Sequence, residues 1–127
     1  MDLHARYPAL SDLEARARRR IPHFVWEYLV SATGAETITA RNRAALDAVL
    51  FRPAALRGEI AVDLSCHLMG RDYPAPFGIA PLGMSGLVWP GAERLLADHA
   101  AAAGIPYTLS TVATRTPEDL AGRIATR

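Results

Sequence analysis

The sequence predicts an α/β protein built as a helical preface, a β-hairpin and two parallel βα units. Three observations carry this. Up to about residue 59, apolar residues recur at helical spacing between capping signals. From Ile60 to Phe77 they alternate, as in strands. After that, short apolar runs and capped helical stretches take turns, the rhythm of strand, helix, strand, helix with parallel strands. The expected segments are 1–59, 60–76 and 77–127.

Ser11-Asp12-Leu13-Glu14 reads as a capping box, with the Ser hydroxyl accepting from the first turn and the Glu reaching back. A short helix through Arg20 should follow. The run Arg16-Ala17-Arg18-Arg19-Arg20 reads as a solvated helix face, its cations suited to the C-terminal end of the dipole, rather than as an anion site. Pro22 ends that helix or opens the next, which spans 22–31 with Phe24, Val25, Tyr28 and Leu29 on one face. Thr33 with Glu36 is expected to cap a third helix to about Leu50, striped by Ile38, Ala45, Leu46 and Val49 and broken at Phe51-Arg52-Pro53.

Ile60, Val62 and Leu64 predict a hairpin over about 61–75, turning at Gly70-Arg71-Asp72. It cannot be a central pair, because Pro74 and Pro76 lack ladder donors. Residues 77–80 should form a short buried strand, followed by a glycine-rich loop with no obvious helix after Ser85. Pro90 marks a helix start, the helix runs over 91–103, and Gly104 stops it. A second buried strand is expected at 105–110. Thr116-Pro117-Glu118-Asp119 opens a last helix with N-cap Thr, Pro at the first position and acids in the first turn.

Composition excludes several chemistries. All 14 basic residues are Arg, so neither a Schiff-base lysine nor a P-loop lysine is available. Cys66 is the one cysteine, which excludes an internal disulfide or a multi-thiolate metal site and fits a reducing, cytoplasmic compartment. The net charge of +1 gives no electrostatic argument for nucleic acid or an anionic membrane. The N-terminus has no apolar leader. Residues 73–92 carry no charge, yet four prolines and four glycines there rule out a regular spanning helix.

Several motifs fail. Gly83-Met84-Ser85-Gly86-Leu87 has Leu87 where a nucleophile elbow needs Gly, so Ser85 is not read as a nucleophile. His4, His23, His67 and His99 are scattered, with no metal-binding i, i+4 pair, and read as surface or packing residues. Neither a dinucleotide fingerprint nor a Walker sequence is present. On periodicity alone Tyr28 is a half-buried helix tyrosine, Gly83 a turn after a strand, and Ser110 a strand-end hydroxyl.

An ordered set of segments nevertheless resembles one family, the FMN-dependent 2-hydroxy-acid dehydrogenases and oxidases. Ile21-Pro22-His23-Phe24-Val25-Trp26-Glu27-Tyr28-Leu29 is similar to the family's substrate-facing helix. Asn42-Arg43, Phe51-Arg52-Pro53, Asp63-Leu64-Ser65 and Gly70 follow at family spacing. Ile79-Ala80-Pro81-Leu82-Gly83 is similar to the family's Ile-Ala-Pro-Thr-Gly. Gly86-Leu87-Val88-Trp89-Pro90-Gly91 and the segment from Ala103 to Thr111 resemble its mandelate and lactate dehydrogenase branch, and Pro117-Glu118-Asp119-Leu120 closes the match.

The resemblance implies the N-terminal part of a TIM (β/α)8 barrel, with the helices and hairpin as a preface and the barrel incomplete. In such barrels the site lies at the C-terminal ends of the strands. It implies FMN as cofactor and oxidation of a small (S)-2-hydroxy acid, lactate-like or mandelate-like, to the 2-oxo acid. Tyr28 would hydrogen-bond the substrate carboxylate. The backbone of Ala80, Pro81, Leu82 and Gly83 would run beside the flavin ring, and Ser110 would hydrogen-bond it. Gly83 leans towards a dehydrogenase with a non-oxygen acceptor, since family oxidases more often carry Ala there. Leu82 departs from the family's Thr and removes a hydroxyl beside the flavin. Ala32-Thr33-Gly34-Ala35 departs from the family's Gly-Ala and acidic pattern. The family's remaining site residues, including its Lys, its His base and its Arg clamp, are expected beyond residue 127. The chain alone is therefore expected to be inactive. It would be a truncated remnant, or one half of a split enzyme completed by a homo-oligomeric copy or a complementing chain. A flavin-free βα binding module is the remaining reading. A cytoplasmic place, including the periphery of the inner membrane, goes with the family.

Overall fold

The computed structural model describes residues 3–53, 58–59 and 61–124. The chain divides into two compact units, residues 1–61 and 62–127.

The first unit is helical. A single turn, α1 (Leu3–Arg6), precedes α2 (Leu10–Arg18), α3 (His23–Val30) and α4 (Thr37–Asp47). The α2 start differs from the expected box. Its N-cap is Ala9, and Asp12 reaches back to accept the Ala9 N–H at 3.0 Å, so Ser11 lies inside the helix. The acid one residue behind Ser11 is the group at the right distance to close the turn. The helix also stops at Arg18, and the Arg20 and Ile21 amides both bond the Ala17 carbonyl to finish it. In the arginine run, Arg16 lies over the Tyr7 ring at 5.8 Å. Arg18 and Arg19 line an open groove of about 400 Å³ with Ser11, Glu14, Ala15 and Trp26.

α3 matches the expected helix, bounded by Pro22 and Ser31. Only Val25 of its apolar face is buried; Phe24, Tyr28 and Leu29 are exposed. α4 begins later than the Thr33–Glu36 pairing predicts. Glu36 is itself the N-cap, in left-handed conformation, and its carboxylate accepts the Ala32 N–H at 3.1 Å. α4 ends at Asp47 rather than Leu50, and its stripe of Ile38, Leu46 and Val49 is exposed.

The second unit opens with a hairpin shorter than predicted. β1 (Cys66–Leu68) and β2 (Arg71–Tyr73) pair antiparallel, with Cys66 opposite Tyr73 and Leu68 opposite Arg71. The turn is Met69-Gly70, not Gly70-Arg71-Asp72. Both residues have positive φ, the two-residue turn whose twist suits a hairpin, and Gly70 adopts it without a Cβ penalty. Asp72 is in the strand and meets His67 across the ladder at 2.7 Å. No strand forms over 61–65. Asp63 captures the Ser65 N–H at 2.9 Å, a local turn that diverts the amide from a ladder and holds the Asp63 carboxyl below its usual range. Ile60 lies outside the described residues. Pro74, without a donor, follows β2 at once.

The two expected parallel strands reduce to a single parallel bridge, Ile79 with Tyr107. Ile79 N–H bonds the Pro106 carbonyl at 2.8 Å and Thr108 N–H bonds the Ile79 carbonyl at 3.0 Å. These runs are also less buried than expected: Phe77 is 64% exposed, and Ile79 and Tyr107 are half-buried. Parallel strands are buried when neighbours and helices cover both faces, and among the described residues this pair has no further strand beside it. Between them come α5 (Ser85–Val88), a single turn where no helix was expected, and α6 (Ala92–Ala103). α6 stops at Gly104 in left-handed conformation, as predicted. α7 (Pro117–Ile124) starts as its motif predicts, with Thr116 Oγ1 accepting the Asp119 N–H at 3.3 Å.

The core of this unit lies between α6 and α7, which pack together. Ala97 and Ala100 are buried on α6 and Leu120 on α7. The small α6 residues let the helices approach, and Leu120, 0% exposed, supplies the apolar volume. Arg123 pairs with Asp98 at the rim, where exposure makes an ion pair worth little. Leu120→Ala should therefore cost about 2–5 kcal/mol through lost burial and a cavity. Exposed Leu64→Ala should stay within about 0.5 kcal/mol. Denaturant midpoints of the two variants check this.

Candidate functional site

The parallel bridge fixes where two loops begin. Past Ile79 runs Ala80-Pro81-Leu82-Gly83, and past Tyr107 run Thr108, Leu109 and Ser110. A second tie, Met84 N–H to the Val112 carbonyl at 3.0 Å, joins the loops further on. Residues 80–83 and 108–111 are thus held side by side between two backbone cross-links. Ala80 and Pro81 are exposed, Leu82 is 51% exposed, and Gly83 is half-buried. Ser110 Oγ accepts the Val112 N–H at 3.2 Å and its carbonyl accepts the Ala113 N–H. The hydroxyl is thereby oriented, with its own proton available to donate. Five of the six candidate residues are gathered in this way. The sixth, Tyr28, sits on α3 in the other unit, 49% exposed.

A residue that the motifs did not single out organises these loops. Glu93, in the first turn of α6, is 0% exposed. Its Oε1 accepts three hydrogen bonds: Gly86 N–H at 3.0 Å, Thr114 N–H at 3.0 Å and Thr114 Oγ1 at 2.9 Å. Its Oε2 is buried with no partner among the described residues. Burial pushes the carboxyl pKa up. The Thr114 N–H, Glu93's own N–H, the Thr114 hydroxyl and the Gly86 N–H outweigh it and bring the pKa to about 2. Burial, and next the Glu93 charge, push the nearby Tyr107 phenol up. Gly86 is required for a steric reason: a Cβ there would lie 1.9 Å from Thr114 Oγ1 and 2.9 Å from Glu93 Oε2.

The sequence signal for Glu93 is slight. It is the first charge after the uncharged stretch 73–92 and otherwise reads as an acid favouring a helix N-terminus. Ser85 is buried at the start of α5. His67 and His23 pair locally with Asp72 and Glu27. Among the described residues, no helix is long and apolar enough to cross a membrane.

Residues 17–127 match the FMN-dependent dehydrogenase family. The chain belongs to that family. It is 37% identical over 116 residues to an L-lactate dehydrogenase of Ectopseudomonas mendocina (strain ymp), covering 91% of this chain and 31% of the relative. It is 33% identical over 115 residues to a 4-hydroxymandelate oxidase of Amycolatopsis orientalis, covering 91% and 32%. The chain thus spans about a third of the length of the curated relatives it matches. The crystal structure of a mandelate oxidase superposes with a TM-score of 0.84 at 32% identity, over 92% of this chain and 34% of that one. A mandelate oxidase variant solved with a C4a-OH-FMN adduct superposes with a TM-score of 0.77 at 31% identity, over 85% and 33%. FMN is the cofactor of this family.

The depressed Glu93 pKa makes a pH prediction. The carboxylate is favoured in the folded state, so its contribution is complete above its ordinary value of 4.5 and is lost as pH falls through about 2. The contribution is about 3 kcal/mol at neutral pH. Glu93→Gln should therefore be less stable than wild type at pH 7, with the gap closing as pH falls from about 4.5 towards 2. Urea unfolding at three pH values checks this; a constant gap contradicts it.

Proposed function

We propose that this chain supplies the helical preface, the hairpin and the first two βα units of a TIM (β/α)8 barrel that oxidises a small (S)-2-hydroxy acid, lactate-like or mandelate-like, to the 2-oxo acid. The observation that carries the reading is the pair of loops at the ends of the parallel bridge, where 80–83 and Ser110 run side by side. Family membership supports the same chemistry.

The residues present fit one wall of a flavin site. Ala80, Pro81 and Leu82 are exposed, Gly83 is half-buried, none of the four carries a charge, and Ser110 offers an oriented hydroxyl. FMN, when bound, supplies the acceptor for the two electrons that leave the hydroxy acid. Gly83 keeps a Cβ out of the place where substrate and flavin meet, and favours an acceptor other than oxygen. Tyr28 donates its phenolic proton to the substrate carboxylate and shields it with its ring. The base and the carboxylate clamp come from the rest of the barrel. By itself the chain is inactive, and a continuation, a second copy or a complementing chain completes the site.

The test joins residues 1–127 to the remainder of the lactate dehydrogenase relative. The expected product carries FMN and reduces a dye with (S)-lactate or (S)-mandelate. In it, Tyr28→Phe should lower kcat/KM about ten-fold or more with flavin content unchanged, since a hydrogen bond to a charged group contributes roughly 1.5–3 kcal/mol. An equally active Phe variant ends the role of Tyr28, and a product without flavin ends the flavin reading.

The 127-residue chain alone should bind FMN no more tightly than roughly millimolar. Barrel phosphate sites usually lie after strands seven and eight, and one wall must offset an association cost of at least about 4 kcal/mol. A fluorescence titration measures this. Stoichiometric flavin on the purified chain would mean that copies of it complete the site together.

A further inference from the structure

We propose that Glu93 is a positioning residue for the flavin-facing wall: its buried carboxylate sets the spacing between the loop that carries Ala80-Pro81-Leu82-Gly83 and the loop that carries Ser110. The proposal rests on the flavin reading above. Three ties hold these loops together. The first is the Ile79–Tyr107 bridge and the second is Met84 N–H to the Val112 carbonyl. The third is Glu93, which grips Gly86 in α5, just past one loop, and Thr114, just past the other, through the same oxygen.

The first two ties are backbone bonds that any sequence could make. The third depends on side chains and on the absence of one. Glu93 brings a full negative charge to three donors, the strong kind of hydrogen bond. Gly86 is the residue that lets Thr114 and Glu93 come this close. Glu93 is fully buried, so it acts on a ligand only through the loops it joins. Its anchor in the first turn of α6 adds a rigid reference. The helix, packed on α5 and on α7, thereby holds both loops at this end. A wall made mostly of backbone works only if its spacing is set, because its groups, the Ser110 hydroxyl aside, cannot adjust by rotating side chains.

Hydrogen–deuterium exchange of the 127-residue chain, with and without about 10 mM FMN, tests this at the affinity expected. In wild type, FMN should slow exchange in peptides within 79–87 and 107–115. Glu93→Ala should speed exchange in both segments together by about ten-fold or more without FMN, remove the FMN protection, and leave the 66–73 hairpin unchanged. Glu93→Gln, which keeps an acceptor oxygen, should restore part of the protection, and Glu93→Met, which fills the space without one, should not. If Glu93→Ala also loosens the hairpin, Thr114→Val decides: it deletes one donor, keeps the shape and should weaken FMN protection. Full wild-type protection in that variant overturns the proposal, as does full protection in a folded Glu93→Ala, and in both cases the flavin reading stands. Absence of FMN protection in the wild-type chain falls within the millimolar limit, and the same comparison is then read on residues 1–127 joined to the remainder of the lactate dehydrogenase relative, where absence of protection defeats the flavin reading and the proposal with it.

Discussion

A carboxylate removed from water must be met by donors, and Glu93 makes the second unit satisfy that demand at Oε1. Its Oε1 collects the Gly86 amide from the single turn α5 and the amide and hydroxyl of Thr114 from the loop before α7. The bonds outweigh the cost of burial far enough to hold the carboxyl near 2. The consequences spread outward. Gly86 has to be glycine, Thr114 has to come within reach, and α6 has to begin where it does for its first turn to present the acid. The helix then carries Ala97 and Ala100 onto α7, where Leu120 fills the seam. One ion thus links the order of the loops to the packing of the helices. A neutral residue of the same size would give weaker hydrogen bonds and less reason for the two loops to keep one spacing.

The parallel pair shows the opposite situation, a structural preference without enough neighbours to satisfy it. Phe77 and Leu82 are apolar and more than half exposed, and the strands meet at one bridge. A parallel ladder gains little from two short strands, one of which contributes a proline carbonyl and no proline amide at Pro106. The apolar stripe of α4 is likewise exposed. These surfaces go together with a chain that spans about a third of its curated relatives. Apolar groups patterned for burial, with part of their cover elsewhere, are what one segment of a larger barrel would present.

Where the determinants are local, they were legible in the sequence. The Thr116-Pro117-Glu118-Asp119 start of α7 and the Gly104 stop of α6 rest on a few consecutive residues, and both stand as read. The α2 cap failed by two residues because two acids, Asp12 and Glu14, competed for the role and the helix phase chose Asp12. The hairpin turn moved from Gly70-Arg71-Asp72 to Met69-Gly70 because Met69 takes a positive φ that its side chain does not advertise. Asp63 shortened the strand through a bond two residues away that competes with any ladder. Glu93 was missed for a deeper reason. Its main partner lies 21 residues on, and nothing in the local pattern separates a buried acid from a solvated one at a helix start. Tyr28 and the 80–83 loop were singled out only through family resemblance, since periodicity alone gives a helix face and a turn.

The same distinction explains how about one-third identity coexists with a superposition as close as 0.84. The proposed wall is mostly backbone, and a backbone edge presents nearly the same atoms whichever side chain it carries. A change of side chain at Leu82, where the resemblance leads one to expect Thr, leaves such an edge in place. Gly86 has no such latitude, because an added carbon meets Thr114 Oγ1 at 1.9 Å. Glu93 has little, because three donors converge on one oxygen. The constraint on this half of the chain thus falls less on the atoms proposed to touch the flavin than on the buried groups behind them that set where those atoms lie. A loop can change its surface and keep its function as long as the carboxylate underneath still holds both ends.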